Sequence, residues 1–274
     1  MTIKQFEINS ENLTFKMARW DLYEGIKQWG LWGRLSTNEI KRRYRRTLLG
    51  PSWVTLSLLI FSSALSVVWA GLWNQEVKTY LPFLLAGMIP WYMLSASIAE
   101  SCAIFLSAEP LIKNTHFPYS ILIWGLLLRN LIIFGHNIVG FILVAIICGV
   151  NLNFYSLLIV PGLILMIINA GWISLLVAIA CLRYRDFQQI TISLIQLCMF
   201  ITPIFWDVSQ LAGKRIYFAK LNLIYHLLHI IKEPMLGRLA DIDSYIFAFC
   251  AALIGWAIAY LVYAQNRKNL AYWF

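Results

Sequence analysis

Charged residues are scarce in this 274-residue chain. Asp, Glu, Lys and Arg together make up 13% of it, which is about half their share in a soluble globular protein. Hydrophobic residues make up 60%, and the mean hydropathy is +0.70. So few charges could not cover the surface of a soluble fold with this apolar content. The composition therefore predicts an integral membrane protein with a single membrane domain.

Motifs for catalysis and nucleotide binding are also missing. The chain contains no HExxH, GxSxG, GxGxxG or P-loop pattern, and its His, Cys and acidic residues do not recur at the spacing of metal ligands. We therefore expect no catalytic residue and no bound metal or cofactor. A chain of this kind would be a channel, half of a secondary transporter, or the membrane subunit of a pump that another chain drives.

Cysteine is sparse and shows no pairing pattern. The five cysteines are Cys102, Cys148, Cys181, Cys198 and Cys250. None forms a CxxC pair and all stand in apolar stretches, which predicts buried thiols and no disulfide framework. A cleavable signal is not predicted either, because residues 1–20 carry several charges and no apolar core.

Long uncharged runs predict six membrane-spanning helices, since a helix needs about 20 apolar residues to cross the hydrocarbon core. The predicted spans are Trp53–Trp73, Leu81–Leu106, Leu131–Val150, Tyr155–Leu182, Phe187–Trp206 and Ser244–Asn266. Residues 1–50 are predicted to form a cytoplasmic amphipathic and basic segment, and residues 51–274 the transmembrane domain. Tyr119–Leu128 is apolar but short, so it is interpreted as an interfacial or re-entrant piece that leads into the third span.

Two other segments have the pattern of helices that lie at the membrane interface. Leu22, Ile26 and Trp29 recur at helical spacing, which is typical of an amphipathic interface helix. A small soluble cap with its own core is the alternative for this segment. Residues 208–243 are polar but contain an apolar helical repeat within Leu221–Leu236, which predicts short re-entrant helices between the last two spans.

Basic residues are distributed unevenly between the two sides of this topology. With six spans, both termini lie on the side that collects most of the 22 Lys and Arg residues, including the cluster Lys41–Arg46 directly before the first span. Because Lys and Arg accumulate in cytoplasmic segments, both termini are predicted to be cytoplasmic. The net charge of +9 is then explained by topology and anionic lipid, with no nucleic-acid partner.

Glu100 and Arg129 are the notable charged residues in the apolar part of the chain. A lone charge in lipid is unfavourable, so such residues pair with each other or line a polar cavity. We expect Glu100 and Arg129 to form an ion pair that fixes the short hairpin between them.

Aromatic residues make up 15% of the chain, and many stand near the ends of predicted spans. An interfacial belt explains most of them. The alternative is that some line a conduit for sugars, whose C–H faces stack on aromatic rings. The candidates for such a path are Trp69, Trp73, Trp91, Tyr92, Phe200, Phe205 and Trp206.

Three stretches carry a resemblance to a known family. They are Arg42–Trp53 (RRYRRTLLGPSW), Leu111–Lys113 followed by Phe117-Pro118, and Tyr184–Phe187 continuing to Thr202-Pro203-Ile204. Together they resemble the permease subunit of type-2 ABC exporters, in the bacterial surface-polysaccharide branch, and their spacing fits across nearly the whole chain.

The resemblance implies a homodimeric six-span permease in the bacterial inner membrane, assembled with a separate subunit that binds ATP and Mg. It implies export of a lipid-linked polysaccharide such as O-antigen, with teichoic acid, capsule, lipid or drug as alternative cargo. By position it implies that residues 208–243 form outer gate helices. It also implies a coupling helix that contacts the ATP-binding subunit, made of Glu109, Pro110, Leu111, Ile112, Lys113, Asn114 and Thr115.

The basic cluster before the first span would lie at the height of lipid headgroups, where it could hold the phosphate of the lipid carrier by charge. Its members are Arg42, Arg43, Arg45 and Arg46. A topology anchor alone is the alternative role for them. The chain departs from the family pattern at Asn114, where a second basic residue is common, and at Asn222-Leu223, where Asn-Pro is common. A polytopic enzyme acting on lipid-linked sugars is the remaining function class, and it would need an essential acid or His at the interface.

Overall fold

The computed structural model describes residues 3–115, 117–208 and 220–274, with side chains from Thr14 onward. Every regular element in that part of the chain is a helix. The α-helices are α1 Ile3–Lys27, α2 Trp29–Arg43, α3 Ser52–Leu72, α4 Val77–Ser101, α5 Ile104–Ser107, α6 Glu109–Asn114, α7 Ser120–Cys148, α8 Ile159–Arg183, α9 Phe187–Ile201, α10 Leu223–Met235 and α11 Ile242–Asn266. Short 3₁₀ helices cover Phe154–Leu158 and Arg267–Tyr272.

Within the described residues, five helical stretches are long and apolar enough to cross a membrane. They are Ser52–Leu72, Val77–Ser101, Ser120–Cys148, Phe154–Arg183 and Ile242–Tyr272. They correspond to five of the six predicted spans, so the predicted all-helical, multi-pass architecture is confirmed at this level. Helix α4 lies at the centre of the bundle: it packs against α3, α7, α8, α9 and α10, and most of its side chains are buried.

The interpretation of Tyr119–Leu128 as a re-entrant piece is wrong, because the chain does not turn back after it. These residues form the first turns of α7, which continues without a break to Cys148. The charge of Arg129 suggested a boundary, but its side chain is buried and paired with two carboxylates. A buried ion pair lets a helix pass through a charged position that would otherwise stay at the surface.

The predicted fifth span, Phe187–Trp206, is only partly helical. Helix α9 ends at Ile201 after 15 residues, and Thr202-Pro203 begins an irregular segment that reaches Val208. Proline disfavours helical backbone at the residue before it, which explains the end of the helix. A 15-residue helix is about 22 Å long, shorter than the hydrocarbon core.

The contacts define two opposite ends of the bundle. Asp21 of α1 bonds Arg267 near the C-terminus, and Arg183 lies against Trp273, so these segments share one end. At the other end, Asn153 donates to the Gly237 carbonyl, and Tyr80 donates to the carbonyl of Phe205. The chain therefore passes from the first end to the second between Phe187 and Phe205, and α9 covers most of that distance.

Helices α1 and α2 pack against the bundle instead of forming a separate cap. Helix α1 contacts α7 and α11, and α2 contacts α7. Their outer sides remain apolar: Trp20, Ile26 and Trp29 are exposed. Gly25 allows the close approach, since a Cβ on it would overlap the hydroxyl of Ser120 at the start of α7. This arrangement is compatible with a helix that lies along a membrane surface.

Helix α10 is the apolar helix predicted within residues 208–243. It is amphipathic but largely buried, because α4, α8 and α11 surround it. Gly162 of α8 lies directly against the Ile230 carbonyl, where a side chain would not fit. Residues 209–219, the other part of the predicted outer gate, lie outside the described residues.

Candidate functional site

Four charged side chains form a network between α2, α4 and α7. Arg129 Nη2 lies 2.5 Å from Glu100 Oε2, and Arg129 also pairs with Glu39. Arg43 Nη2 lies 2.8 Å from the second oxygen of Glu100. The structure thus brings together the two residues that the sequence predicted to pair, and adds one partner to each.

Burial differs strongly along this network. The side chain of Arg129 is 3% exposed, whereas those of Arg43 and Glu39 are 45% and 40% exposed. The hydrogen bond to Glu100 raises the pKa of Arg43. Next to the network, Asn130 donates to Ser97 of α4 at 3.1 Å, so polar contacts continue into the bundle. The network joins the N-terminal segment to α4 and α7, the two most closely associated helices.

A second polar cluster surrounds Asp21, which is fully buried. Its carboxylate accepts hydrogen bonds from the backbone N–H groups of Tyr119 and Ser120 at 2.9 and 3.0 Å. Arg267 donates to the same carboxylate from Nε and Nη2, both at 2.9 Å. Asp21 therefore satisfies free N–H groups at the start of α7 and ties α1 to the end of α11. We call Asp21, Tyr119, Ser120 and Arg267 the clamp.

Asp21→Asn is expected to lower the stability of the folded protein by about 1.5–3 kcal/mol, because the amide is neutral and its Nδ2 cannot accept the hydrogen bonds of the oxygen that it replaces. The measurement is the thermal midpoint of the purified protein in detergent. Glu24→Gln is the matched control: the same chemical change, one turn later on α1, where the carboxylate only accepts from Gln28. Equal midpoints for both variants would contradict this role of the clamp.

The predicted coupling residues form α6 and the residue that follows it. Lys113 Nζ lies 2.6 Å from Glu109 Oε1, and Thr115 and Asn114 bond carbonyls within the same turn. Ile112 is buried against the bundle, whereas Leu111 is 39% exposed. The short helix therefore presents one face to the protein and one outward.

The C-terminal segment braces α6 from the side. The Lys113 ammonium lies 5.5 Å from the ring centre of Phe274, and the Arg183 guanidinium lies 5.3 Å from that of Trp273. Both distances are within the range of cation–π attraction. Because Arg267 of the same segment belongs to the clamp, α6, the C-terminus, α1 and the start of α7 are joined at one end of the bundle.

The predicted phosphate-binding arginines lie at the end of α2 and in the turn after it, and all are exposed. Arg42 and Arg45 line a shallow surface depression with Lys41. Arg43 points instead to Glu100. The structure therefore does not bring the four arginines to a single point, but leaves them on one basic surface.

Five of the seven predicted path aromatics come together at the end of the bundle opposite α6. Trp69 stacks on Trp73 and on Phe205 with ring centres 6.1 and 6.0 Å apart, and Phe200 lies 6.1 Å from Phe205. The indole of Trp206 lies 3.4 Å from the Phe200 carbonyl, to which it donates. We call these five residues the aromatic cluster.

Trp91 and Tyr92 do not belong to the aromatic cluster. Trp91 is buried and borders a cavity between α4, α8 and α9. Tyr92 points to the other side of α4, towards α3 and α7. Side chains at neighbouring positions of a helix point about 100° apart. Trp91 and Tyr92 therefore cannot line the same wall of one conduit.

Lys232 is a buried cation at the same end of the bundle as the aromatic cluster. Its ammonium donates to the Pro203 carbonyl at 3.1 Å and lies 3.6 Å from the ring centre of Phe83. Burial lowers the pKa of Lys232 from 10.5 to about 8, and burial also lowers the pKa of the nearby His229. Together with the Tyr80 bond to Phe205, Lys232 holds the irregular segment after α9.

Lys232→Met is expected to change how stability depends on pH. Between about pH 8 and 10.5 the folded protein has released a proton that the unfolded chain still binds, so this lysine makes the wild type more stable as pH rises. The variant lacks that contribution. The difference in thermal midpoint, variant minus wild type, should therefore decrease as the pH is raised from 7 to 10. A difference that stays constant over this range would contradict the assignment.

Sequence reasoning missed Asp21, Glu39, Arg267 and Lys232. Glu39 could have been considered as a partner of Arg129, because a buried arginine needs acidic side chains that neutralise its charge. Lys232 is the one cation inside the apolar repeat of Leu221–Leu236, which was a usable signal. Asp21 and Arg267 are far apart in sequence and carry no pattern that distinguishes them. The prediction of buried thiols is confirmed for Cys102 and Cys181, whereas Cys148 and Cys198 are half-buried and Cys250 is exposed on α11.

Comparisons with known proteins show the family of the chain. Residues 31–236 match the family described as ABC-2 type transporter. The chain is 23% identical over 186 residues to the O-antigen export system permease protein RfbA of Myxococcus xanthus, covering 66% of this chain and 70% of that protein. It is 21% identical over 229 residues to a Klebsiella pneumoniae protein of the same name, covering 82% and 88%. A second Klebsiella pneumoniae protein of that name is 21% identical over 181 residues, covering 66% and 70%.

Proposed function

The chain belongs to the ABC-2 type transporter family, and on that premise we propose that it is the membrane permease of an ATP-driven exporter for a lipid-linked polysaccharide of the O-antigen type. The observation that carries the proposal is the similarity to permeases named for O-antigen export, one of which is covered over 88% of its length. The cargo is thus inferred from relatives. Export of teichoic acid, capsule, lipid or drug is the alternative, which the deletion experiment must distinguish from export of an O-antigen-type glycan.

We propose that a separate subunit binds ATP and Mg and docks on α6. Three features support this role. Helix α6 lies at one end of the bundle and exposes Leu111, Ile112 anchors it to the protein, and the C-terminal segment braces it through Lys113. A helix braced on several sides can pass on a displacement instead of absorbing it in local bending.

We propose six membrane crossings, with both termini on the cytoplasmic side of the bacterial inner membrane. The support is that α1 and the C-terminus meet in the clamp, which an even number of crossings requires. The sixth crossing is made by α9 together with the segment up to Trp206. In this topology residues 1–50 form the cytoplasmic basic segment and residues 51–274 the transmembrane domain.

The basic surface and the aromatic cluster lie at opposite ends of α3. We propose that Arg42, Arg45 and Arg46 attract the phosphate of the lipid carrier on the cytoplasmic side, since Arg binds phosphate through charge-assisted hydrogen bonds. The aromatic cluster then guides the sugar chain on the outer side. Helix α10 and the residues before it form the outer gate, and two copies of the chain enclose the path as a homodimer.

A mechanism follows from these placements. When the ATP-binding subunits close, they push α6, and the clamp transfers the displacement to α7, α11 and α1 together. The Glu100–Arg129 pair links α7 to α4, so α4 moves with them. Helix α4 also carries Tyr80, which holds the Phe205 carbonyl in the outer segment. A push at the inner end is thus connected to the aromatic cluster through α4.

Deletion of the chain in its native bacterium tests the function. We expect the surface polysaccharide to disappear and its lipid-linked form to accumulate inside the cell, and we expect the intact chain to restore export. Normal surface polysaccharide after deletion, with altered lipid or drug efflux, would contradict the glycan cargo. A lipid-linked sugar of changed structure would instead favour an enzyme.

A further inference from the structure

A cleft of about 620 Å³ opens between α3, α4 and α7, next to the end of α2. It is separate from the clamp and from the aromatic cluster. Its volume lies within the range of about 300–1,000 Å³ that is common for small-ligand sites. A cleft of this size is too small for a polysaccharide chain but large enough for one or two sugar units.

One wall of the cleft is polar although it lies within the membrane-spanning part. Asn130 and Asn137 of α7 both line it, and both are at least 97% buried. They are seven residues apart, so they lie on the same face of the helix, about 10 Å from each other along its axis. Thr55 of α3 donates to Asn137 Oδ1 at 2.9 Å.

Amide side chains in this position are informative because polar groups inside a membrane are unfavourable and usually serve a function. An acyl chain of bulk lipid would offer them no hydrogen bond. Each asparagine has donors and acceptors beyond the one bond that the structure gives it within the protein. A ligand rich in hydroxyl groups would match this wall. Phe134 lies between the two asparagines on α7, and α4 offers Tyr92 across the cleft, so the C–H faces of a sugar can pack on aromatic rings.

The mouth of the cleft is basic. Arg43 and Tyr44 line it, and Arg43 uses Nη2 for Glu100 while almost half of its side chain is exposed. Lys41, Arg42 and Arg45 are exposed neighbours of Arg43 in the chain and line a separate surface depression. The carboxylates of Glu100 and Glu39 offset Arg43 and Arg129, so the positive charge beside the mouth comes from Lys41, Arg42 and Arg45 in the neighbouring depression. An anionic group is the complementary ligand.

We propose that this cleft binds the part of the lipid-linked glycan closest to its carrier. The phosphate lies at the mouth, and the first sugar packs against Asn130 and Asn137. This inference rests on the proposed function and adds to it a site for the sugar phosphate, distinct from the aromatic cluster that guides the polymer. The lipid tail stays in the bilayer beside α3, where Trp53 and Phe61 are exposed at the edge of the cleft.

Two serines of α3 provide a matched pair of variants. Ser57 lines the cleft and Ser63 does not, yet both are exposed on the same helix. Ser57→Trp fills the cleft, whereas Ser63→Trp places the same bulk on another face of α3. The assay is binding of radiolabelled farnesyl diphosphoglucose to the purified complex with its ATP-binding subunit, in phosphatidylcholine nanodiscs. We expect wild type and Ser63→Trp to bind equally, and Ser57→Trp to bind at least tenfold more weakly.

Asn137→Leu separates sugar recognition from phosphate recognition. It should weaken binding of farnesyl diphosphoglucose at least fivefold while changing the binding of farnesyl diphosphate less than twofold. Equal binding by Ser57→Trp and Ser63→Trp would overturn the proposal, as would no binding by the wild type. Displacement of the probe by phosphatidylglycerol at equal concentration would also overturn it, because the cleft would then be a general groove for anionic lipid.

The same variants distinguish this inference from the proposed function. If Ser57→Trp restores surface polysaccharide in the deletion strain as well as Ser63→Trp does, the cleft has no role, although the exporter assignment stands. If the wild-type chain itself does not restore the polysaccharide, the proposed function fails.

Discussion

Arg129→Gln should destabilise the folded protein by about 3–5 kcal/mol, the usual cost of breaking a buried ion pair on one side only. Glu100 and Glu39 would lose the cation between them, and Glu100 would retain only Arg43 at the exposed edge. Because α2, α4 and α7 meet at this network, we expect little folded protein after purification in mild detergent. The measurement is the monodisperse fraction in size-exclusion chromatography, followed by the thermal midpoint of what remains.

Arg43→Gln is the control for that experiment. Both arginines bond the same carboxylate, and both variants make the same chemical change, but the Arg43 side chain is 45% exposed. Pairs exposed to solvent contribute only about 0–1 kcal/mol. If Arg129→Gln were no less stable than Arg43→Gln, the buried network would not hold the helices together.

Leu111→Asp is expected to remove the ATP-binding subunit from the complex. The side chain lies on the outward face of α6, and replacing an apolar anchor at the centre of a docking surface by a carboxylate weakens binding by about 2 kcal/mol or more. This corresponds to at least a 30-fold loss of affinity. Co-purification measures it directly, and transport should be lost while the variant still inserts into the membrane.

Leu239→Asp is the matched control at the opposite end of the bundle. Leu239 is 61% exposed, more than Leu111, so a general effect of the new charge on folding should be similar in both variants. We expect Leu239→Asp to keep the ATP-binding subunit. Loss of the subunit in both variants, or in neither, would contradict docking on α6.

Five spans could be predicted from sequence because each contains a long uncharged run, and length and hydropathy alone decide whether such a helix can cross a membrane. The boundary at Arg129 could not be predicted in the same way. Whether a charge ends a helix or is buried within it depends on partners from distant segments, here Glu39 and Glu100. Likewise, the predicted fifth span continued through Pro203, whereas the path of the chain after that residue depends on Lys232 and Tyr80.

The candidate site was predictable where one helix or one span end carries it, and not where tertiary contacts assemble it. The predicted coupling residues are contiguous, and the family resemblance implied them; the structure shows that they form one short helix. The aromatic cluster was identified residue by residue, yet Trp91 and Tyr92 point elsewhere because they lie on different faces of α4. The clamp joins Asp21 to Arg267 across almost the whole chain, and no local pattern in the sequence could have indicated that contact.

The central claim is that this chain is a permease driven by a separate ATP-binding subunit. A pull-down of the tagged chain from its native membranes, with mass spectrometry of the proteins that accompany it, tests that claim most directly. We predict a stoichiometric partner that carries a P-loop. Absence of such a partner, under detergent conditions that keep a known ABC transporter intact, would contradict the claim and favour a self-contained channel or a membrane enzyme.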